Sequence, residues 1–287
     1  MRIFPLTLGL LLVSVPWVSA QVTAEIITDE DQFLRNEPLP VRVRITNLSG
    51  RTLTLGKEAD WLTFTVESRE GHSVSKIAEP SVAGEFTLES AFAASKRVDL
   101  TPCFDLARPG RYEITAVVKI PRWDEPITTK PKVVTVSMGA KIWDKVVGVP
   151  YTGEPPETRK YSLVQTSYKE RLRLYVRVTD EPENVVYNVL QLGPAVSFSK
   201  PEHQLDRLSN LHLLFQEGAQ TFNYSVVKPN GQLLVKQTYA YLRGSRPVLR
   251  GDKEGFIEVA AGQRVISKND LPPPVTVSTN EVKTPKP

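Results

Sequence analysis

An all-β protein with two domains is the fold that the sequence predicts, and three observations predict it. Apolar and polar side chains alternate strictly over residues 41–47, and the same period returns over residues 171–178. A period of two puts every second side chain on one face of a strand, whereas a helix would repeat every three to four residues. The dipeptide Asn230-Gly231 separates two further alternating runs, which is the strongest short signal for a β-hairpin.

Length and composition are consistent with this prediction. The chain has 287 residues, of which 40% are hydrophobic and 24% charged, so it can bury substantial cores. Its one cysteine, Cys103, excludes an intrachain disulfide and leaves zinc, iron–sulfur and CxxC redox sites without cysteine ligands. Stability is therefore expected to come from packing.

The first twenty residues have the pattern of a cleavable signal peptide. Arg2 is followed by an apolar stretch over residues 6–15 and by the small-residue motif Val18-Ser19-Ala20. The stretch is shorter than the ~20 apolar residues that a membrane span requires, which disfavours the alternative of an uncleaved anchor. Export without disulfides is typical of a bacterial periplasm or cell exterior. We therefore expect an exported protein, periplasmic or extracellular, with no membrane span after cleavage.

Proline and glycine mark the boundary between the two predicted domains. Pro150, Gly153, Pro155 and Pro156 interrupt regular strand pairing. Whether the strand-like residues just before Pro150 close the first domain or open the second is left open. The expected segments, in chain order, are a signal peptide (1–20), a first domain (21–139), a linker (140–160), a second domain (161–268) and a disordered Pro-rich tail (269–287).

In the first domain, one string near the end carries a family resemblance. Pro109-Gly110 precedes Tyr112 and Ile114 at the start of an extended run, and this string is similar to the tyrosine corner of immunoglobulin-like sandwiches. The resemblance implies that the Tyr112 hydroxyl bonds to the backbone a few residues upstream. Ile114 stands where antibody domains have their second cysteine, so no disulfide is implied. The resemblance is to a bacterial exported protein with an N-terminal immunoglobulin-like β-sandwich, and it specifies architecture without any activity.

The other predicted strands of the first domain are short. The segment over residues 85–98 is assigned to a loop or an irregular strand, since its alanines would also suit a helical turn. Extended stretches are expected over residues 22–28, 53–55, 62–66, 114–120 and 133–136.

The second domain is predicted to be antiparallel β, either a sandwich or a blade-like meander. Leu172 and Leu211 lie in similar strings 39 residues apart, a spacing like that of propeller blades. Two such units and a stub are too few for a closed propeller, which needs about four blades.

The candidate binding site is the polar face of the strand over residues 171–178, where Arg171, Arg173, Tyr175 and Arg177 alternate with apolar residues. Guanidinium groups beside an aromatic ring suit carboxylate, sulfate or phosphate groups of an anionic ligand. A basic face is also common on solvent-facing or edge strands, where it prevents aggregation. The charge distribution favours an anionic partner for the second half, because residues 140–268 have 18 Lys/Arg against 13 Asp/Glu, whereas residues 21–139 have 15 against 17. That excess is small beside those of nucleic-acid binders.

Signatures of catalysis are missing from the sequence. The three histidines have no metal-ligand spacing, and there is no nucleophile elbow, P-loop or dinucleotide fingerprint, so we predict no catalytic residue, no metal and no cofactor. Cys103 is expected to be a buried, inert thiol. A pair of carboxylates for polysaccharide hydrolysis remains an alternative. Trp61, Trp123 and Trp143 are expected to pack in cores, with sugar platforms as the alternative.

Taken together, these features predict an exported, non-catalytic β protein that acts as a binding or interaction module. Its partner is expected to be a protein or an anionic polysaccharide, and not nucleic acid. Two alternatives stay open: a structural or assembly role like that of periplasmic chaperones, and a hydrolase with acids in a cleft between the domains.

Overall fold

The computed structural model describes residues 22–150 and 157–272, and in these two ranges the chain is all-β. The predicted signal peptide and most of the predicted tail lie outside the described residues. No helix is present in either range, and hence none that is long and apolar enough to cross a membrane. The prediction of the all-β class is confirmed.

The first half contains three sheets whose buried side chains form one core. One sheet has the order β1-β3-β7, the second has the order β2-β10-β8-β5 with β9 beside β8, and the third consists of β4 and β6. All pairs are antiparallel except that of β2 with β10. The strands are β1 (Val22–Ile27), β2 (Gln32–Leu34), β3 (Pro40–Asn47), β4 (Leu53–Leu55), β5 (Leu62–Ser68), β6 (Phe86–Leu88), β7 (Ala93–Asp99), β8 (Gly110–Val118), β9 (Ile127–Thr128) and β10 (Lys132–Ser137).

Strand β3 shows how the alternation produces this core. Val41, Val43 and Ile45 are at most 1% exposed, while Arg42 and Arg44 between them point outward to pair with acidic side chains. A strand with one apolar face is stable only when that face packs against another layer.

The tyrosine-corner hydrogen bond is present. Tyr112 is fully buried, and its hydroxyl donates to the backbone oxygen of Arg108 over 2.6 Å. His72 Nε2 lies 3.2 Å from the same hydroxyl, which can accept a second hydrogen bond. The contact ties the loop before β8 to the start of that strand.

Removing this hydroxyl tests what the corner contributes. Tyr112→Phe keeps the ring and deletes the hydrogen bond, so we expect the free energy of unfolding to fall by about 1–2 kcal/mol. Urea denaturation followed by tryptophan fluorescence measures the change. Tyr187→Phe, at a ring that is 39% exposed, is the matched control and should change stability by less than about 0.5 kcal/mol. Equal stability of the two variants would mean that the corner is not stabilising.

The second half consists of consecutive antiparallel meanders. One sheet has the order β11-β12-β13-β14 and the next the order β15-β16-β17-β18-β21, while β19 pairs with β20. The strands are β11 (Ala140–Gly148), β12 (Thr158–Tyr168), β13 (Arg171–Thr179), β14 (Val186–Ala195), β15 (Glu202–Leu205), β16 (Leu211–Gln216), β17 (Thr221–Val227), β18 (Leu233–Ala240), β19 (Val248–Gly251), β20 (Ile257–Ala260) and β21 (Gln263–Val265).

Strand connectivity is the sequential one of a propeller blade in the first of these sheets and over β15 to β18 of the second, where β21 then returns to pair with β18. The two sheets share one apolar cluster, to which Val176 and Leu213 belong. The Asn230-Gly231 hairpin joins β17 to β18, with Gly231 at a φ of 83°. The 39-residue spacing does not relate equivalent strands, because Leu172 lies on the third strand of its sheet and Leu211 on the second strand of the next.

Two of the expected segments contain regular pairing where the structure describes the chain. Most of the predicted linker over residues 140–160 is strand, because β11 and the start of β12 pair with each other. The first residues of the predicted tail are held in place: Asp270 accepts a hydrogen bond from Arg264, and Leu271 pairs with Lys236.

The two halves touch through β2 and the sheet that begins with β11. Leu34 packs against Val164, Tyr175 and Val189 in a small buried cluster. Around this cluster Gln32 Nε2 donates to the backbone oxygen of Ser167 over 3.1 Å. The middle of the polar face of β13, at Arg173 and Tyr175, is therefore covered by the first half.

Candidate functional site

The predicted basic face of β13 is not one exposed surface. β13 lies between β12 and β14 in its sheet, so the edge-strand interpretation of the arginines is wrong. Alternation predicted the two faces correctly, since Leu174, Val176 and Val178 are fully buried in the apolar cluster. What it could not predict is the layer that packs on the opposite face.

Arg173 and Tyr175 belong to the contact between the halves. Arg173 forms an ion pair with Glu30, and its guanidinium lies 3.9 Å from the ring centre of Tyr168. Tyr175 is 1% exposed, and burial raises its pKa to about 12. Neither side chain is presented to a soluble ligand.

Arg171, at the start of β13, is exposed and lines a cleft of about 430 Å³. This cleft also includes the exposed ring of Phe198 and the carboxyl group of Glu217, whose pKa burial raises. Arg171 is thus separated from the other three residues of the predicted site.

Arg177 lines a crevice of about 220 Å³ at the contact between the halves. Arg35 reaches it from the first half, while Lys141 and Ser162 line it from the second half. Because Arg35 follows β2 and Arg177 lies on β13, docking of β2 onto the second half brings the two guanidinium groups to one cavity. We refer to this cavity as the cationic crevice.

The ion pairs around the cationic crevice leave positive charge uncompensated. Arg177 Nη1 donates to Glu183 over 2.6 Å, and Lys160 pairs with Glu183 and Asp144, the latter also bound by Lys141. Among the described residues of this network and the crevice wall, four cationic groups, including Arg35, face two carboxylates. Hydrogen bonds from Lys160 and Arg177 lower the pKa of Glu183, so it stays ionised and is a poor proton donor.

Two buried donor atoms at the cationic crevice lack a partner within the described protein. They are the Nε atoms of Arg35 and Arg177. The Arg177 side chain is only 12% exposed, and Arg35 has only a weak 4.0 Å contact from Nη1 to the sulfur of Met138. Buried polar groups are nearly always hydrogen-bonded, so two unpartnered guanidinium donors in residues that line one cavity are unusual.

The tryptophans separate into two environments. Trp61 and Trp123 line one cleft of about 420 Å³ at the end of the first half. Trp143 instead stacks on His203, with ring centres 4.2 Å apart.

The remaining candidate groups have structural partners. His212 lies between Tyr224 and Asp206, at 2.7 and 3.3 Å, and burial lowers its pKa. Cys103 is buried, and burial raises the pKa of its thiol. Over residues 22–150 and 157–272, no three His, Cys, Asp or Glu side chains are grouped as a metal site would require.

Sequence reasoning found Arg177 but missed Arg35 and Lys141. Arg35 stands alone between Leu34 and Asn36, with no alternation to mark it, and its partner surface is distant in the chain. Only the docking of the halves brings Arg35 beside Lys141 and Arg177.

The comparisons with known proteins give distant structural likenesses and no match in sequence. The chain matches no protein-family model and no curated protein. It is similar in structure to Spo0M, a sporulation control protein from Bacillus subtilis, at a TM-score of 0.30 and 10% sequence identity. The similarity covers 58% of this chain and 82% of the Spo0M chain.

Proposed function

We propose that this protein is an exported, non-catalytic binding module that holds an anionic group in the cationic crevice. The observation that carries the proposal is the convergence of Arg35, Lys141 and Arg177 on one cavity beside a surplus of positive charge. A sulfate, phosphate or carboxylate group would accept hydrogen bonds from both guanidinium groups and compensate that charge. Such a group would be carried by a surface polymer or a small ligand.

Export is supported by the leader pattern of residues 1–20. In a periplasm or at a cell surface, a binding module meets acidic glycans and phosphorylated polymers. N-terminal sequencing of the secreted or periplasmic protein would test whether the chain is exported and cleaved. A mature chain that still began at Met1 would contradict it.

For the first half, the proposed architecture is an immunoglobulin-like sandwich. The parallel pairing of β2 with β10, the shared core of the two larger sheets and the Tyr112 corner support this assignment. The second half is proposed as a blade-like meander of two sheets packed on the first half.

Arginine substitutions distinguish anion binding in the cationic crevice from anion binding along the polar face of β13. In Arg35→Gln and Arg177→Gln, the guanidinium group is lost and the side chain keeps much of its length. We expect each to weaken the binding of inorganic phosphate or sulfate by about tenfold or more, since a charge-assisted hydrogen bond contributes roughly 1.5–3 kcal/mol. Isothermal titration calorimetry at low salt measures the affinity.

Arg171→Gln is the matched control, because it removes an arginine of the same strand that lies outside the crevice. It should change the affinity by less than twofold. If Arg171→Gln weakened binding as much as Arg35→Gln, or if the unsubstituted protein bound neither anion, the proposal would be wrong. Circular dichroism of each variant separates lost binding from lost folding.

A further inference from the structure

The Trp61 and Trp123 cleft is a second cavity, which shares no lining residue with the cationic crevice. It lies between the loop that leads into β5 and the loop that leaves β8, and its volume is about 420 Å³. Pockets for small ligands are typically a few hundred cubic ångströms in volume and mostly apolar, with a few polar groups that orient the ligand. Ile120, Pro121 and Pro126 complete the apolar part of its wall.

Trp61 forms a fixed wall of this cleft. Its side chain is 2% exposed, its Nε1 donates to the backbone oxygen of Val82 over 2.9 Å, and its ring meets Phe86 edge-on at 5.6 Å. A tryptophan that is held by packing and by a hydrogen bond loses little further freedom when a ligand binds.

Trp123 is half-buried and stands on a tight turn over the same cleft. Its backbone nitrogen donates to the oxygen of Ile120 over 3.1 Å, and Arg122 between them has a φ of 68°. One side of its ring packs against the core, which leaves part of the indole to line the cleft. An indole that is anchored at one side and accessible at another is suited to stacking against a ligand ring.

The opposite loop is also constrained. Gly56 has a φ of 85°, and a Cβ built there would lie 2.0 Å from the backbone oxygen of Gly84. No other residue fits this position, so close packing against a neighbouring loop holds this side of the cleft. Both walls are therefore preorganised.

Charged groups on the rim restrict the ligand. Lys57, Glu58, Asp60, Lys119 and Asp124 line the cleft, and Asp60 forms an ion pair with Lys119 that lowers the pKa of the carboxyl group. Three carboxylates against two ammonium groups disfavour an anionic ligand. Carboxylates accept hydrogen bonds from hydroxyl groups, and several of them around an apolar wall match a molecule with one apolar face and many hydroxyls.

We propose that this cleft binds an uncharged saccharide. One pyranose ring would stack its C–H face on Trp123, with Trp61 and Ile120 behind it, while its hydroxyls donate to Glu58 and Asp124. The site goes beyond the anion-binding function proposed above and does not depend on it.

Affinity electrophoresis of the full chain tests the saccharide proposal. Native gels contain one neutral polysaccharide each, from a panel of laminarin, xylan, galactomannan, dextran, hydroxyethylcellulose and glycol chitin. We expect retardation by at least one of them, with an affinity that falls by about tenfold or more in Trp123→Ala, because this variant loses the ring on which the pyranose would stack.

Two further variants make the result decisive. Phe198→Ala removes an aromatic side chain that is 79% exposed and distant from the cleft wall, and it should migrate like the unsubstituted protein. Trp123→Phe keeps a smaller ring and should bind with intermediate affinity. Thermal unfolding of each variant confirms that it is folded.

Three results would overturn the proposal: no retardation by any neutral polysaccharide, equal retardation of Trp123→Ala and the unsubstituted protein, or binding of an apolar dye in the cleft without any saccharide binding. Retention by dextran sulfate that is lost in Arg35→Gln reports on the cationic crevice alone. The two proposals therefore fail independently.

Discussion

Gly139→Ala is expected to lower the free energy of unfolding by about 2–4 kcal/mol. Gly139 joins β10 to β11 at a φ of 65°, in the left-handed region where an alanine costs about 1 kcal/mol. A Cβ there would lie 2.5 Å from Val164 Cγ1 and 2.9 Å from both the backbone oxygen of Gln165 and Leu34 Cδ1. Overpacking of this kind adds a further 1–3 kcal/mol, because the neighbours are backbone or buried side chains.

The clash falls where the two halves meet, so the variant also tests their contact. Leu34 belongs to the first half, whereas Val164 and Gln165 belong to the second half. Relief of the clash requires the halves to separate slightly. We expect urea denaturation of Gly139→Ala to become broader or to divide into two transitions, since halves that lose their contact unfold less cooperatively.

Gly71→Ala separates backbone strain from the clash. Gly71 has a φ of 80°, and a Cβ at this residue would have no heavy atom within 4 Å, so the substitution should cost only the conformational strain of about 1 kcal/mol. Equal costs at Gly71 and Gly139 would show that space at the junction is not limiting.

Local patterns in the sequence predict the strands well, because alternation is a local consequence of burying one face. The structure places β4 over the predicted residues 53–55 and β8 over most of residues 114–120. The Tyr112 hydrogen bond also follows from a local string, since its acceptor is only four residues upstream.

Strands with few buried side chains are harder to predict, because their apolar and polar residues do not alternate clearly. β7 lies in the stretch assigned to a loop or an irregular strand, and only Val98 is buried on it. Its side chains Lys96 and Arg97 do not alternate clearly with apolar residues, so pairing with β3 determines the strand. Hydrogen bonding to a neighbouring strand is not visible in composition.

The candidate site depends even more on tertiary structure. Alternation correctly predicted that Arg173, Tyr175 and Arg177 share a face of β13, but a period of two says nothing about what covers that face. Packing of the first half against β13 gives the predicted site residues different environments. Glu30 neutralises Arg173, while Arg35 lies beside Arg177 at the cationic crevice. Sequence patterns alone cannot predict such a difference.

Glu37 adds a strong pH dependence at the same contact between the halves. Burial and the nearby charge of Glu30 raise its pKa to about 7, against the opposing effects of the Leu34 N–H, which donates to Oε2 over 2.7 Å, and of Arg173. The negative charge of Glu37 also contributes to the raised pKa of Tyr175. The ionised form of this carboxyl group is therefore unfavourable in the folded protein.

The direction of the pH dependence follows from the pKa of Glu37, which is 4.5 in the unfolded chain and about 7 in the folded protein. Below pH 4.5, Glu37 is protonated in both the folded and the unfolded chain and costs nothing. Between pH 4.5 and about 7, the unfolded chain releases the proton while the folded chain retains it, so the free energy of unfolding falls as the pH rises. Above about pH 7 the penalty is complete, at about 2 kcal/mol after allowance for partial solvent exposure.

Glu37→Gln should abolish this pH dependence. The amide has nearly the same shape, stays uncharged and can still accept the hydrogen bond from the Leu34 N–H. We expect the variant to match the unsubstituted protein at pH 4 and to be more stable than it by about 2 kcal/mol at pH 8. Urea denaturation at half-unit steps from pH 4 to 8 gives both curves. Parallel curves over this interval would contradict the prediction, because Glu37 would then ionise as readily in the folded chain as in the unfolded one.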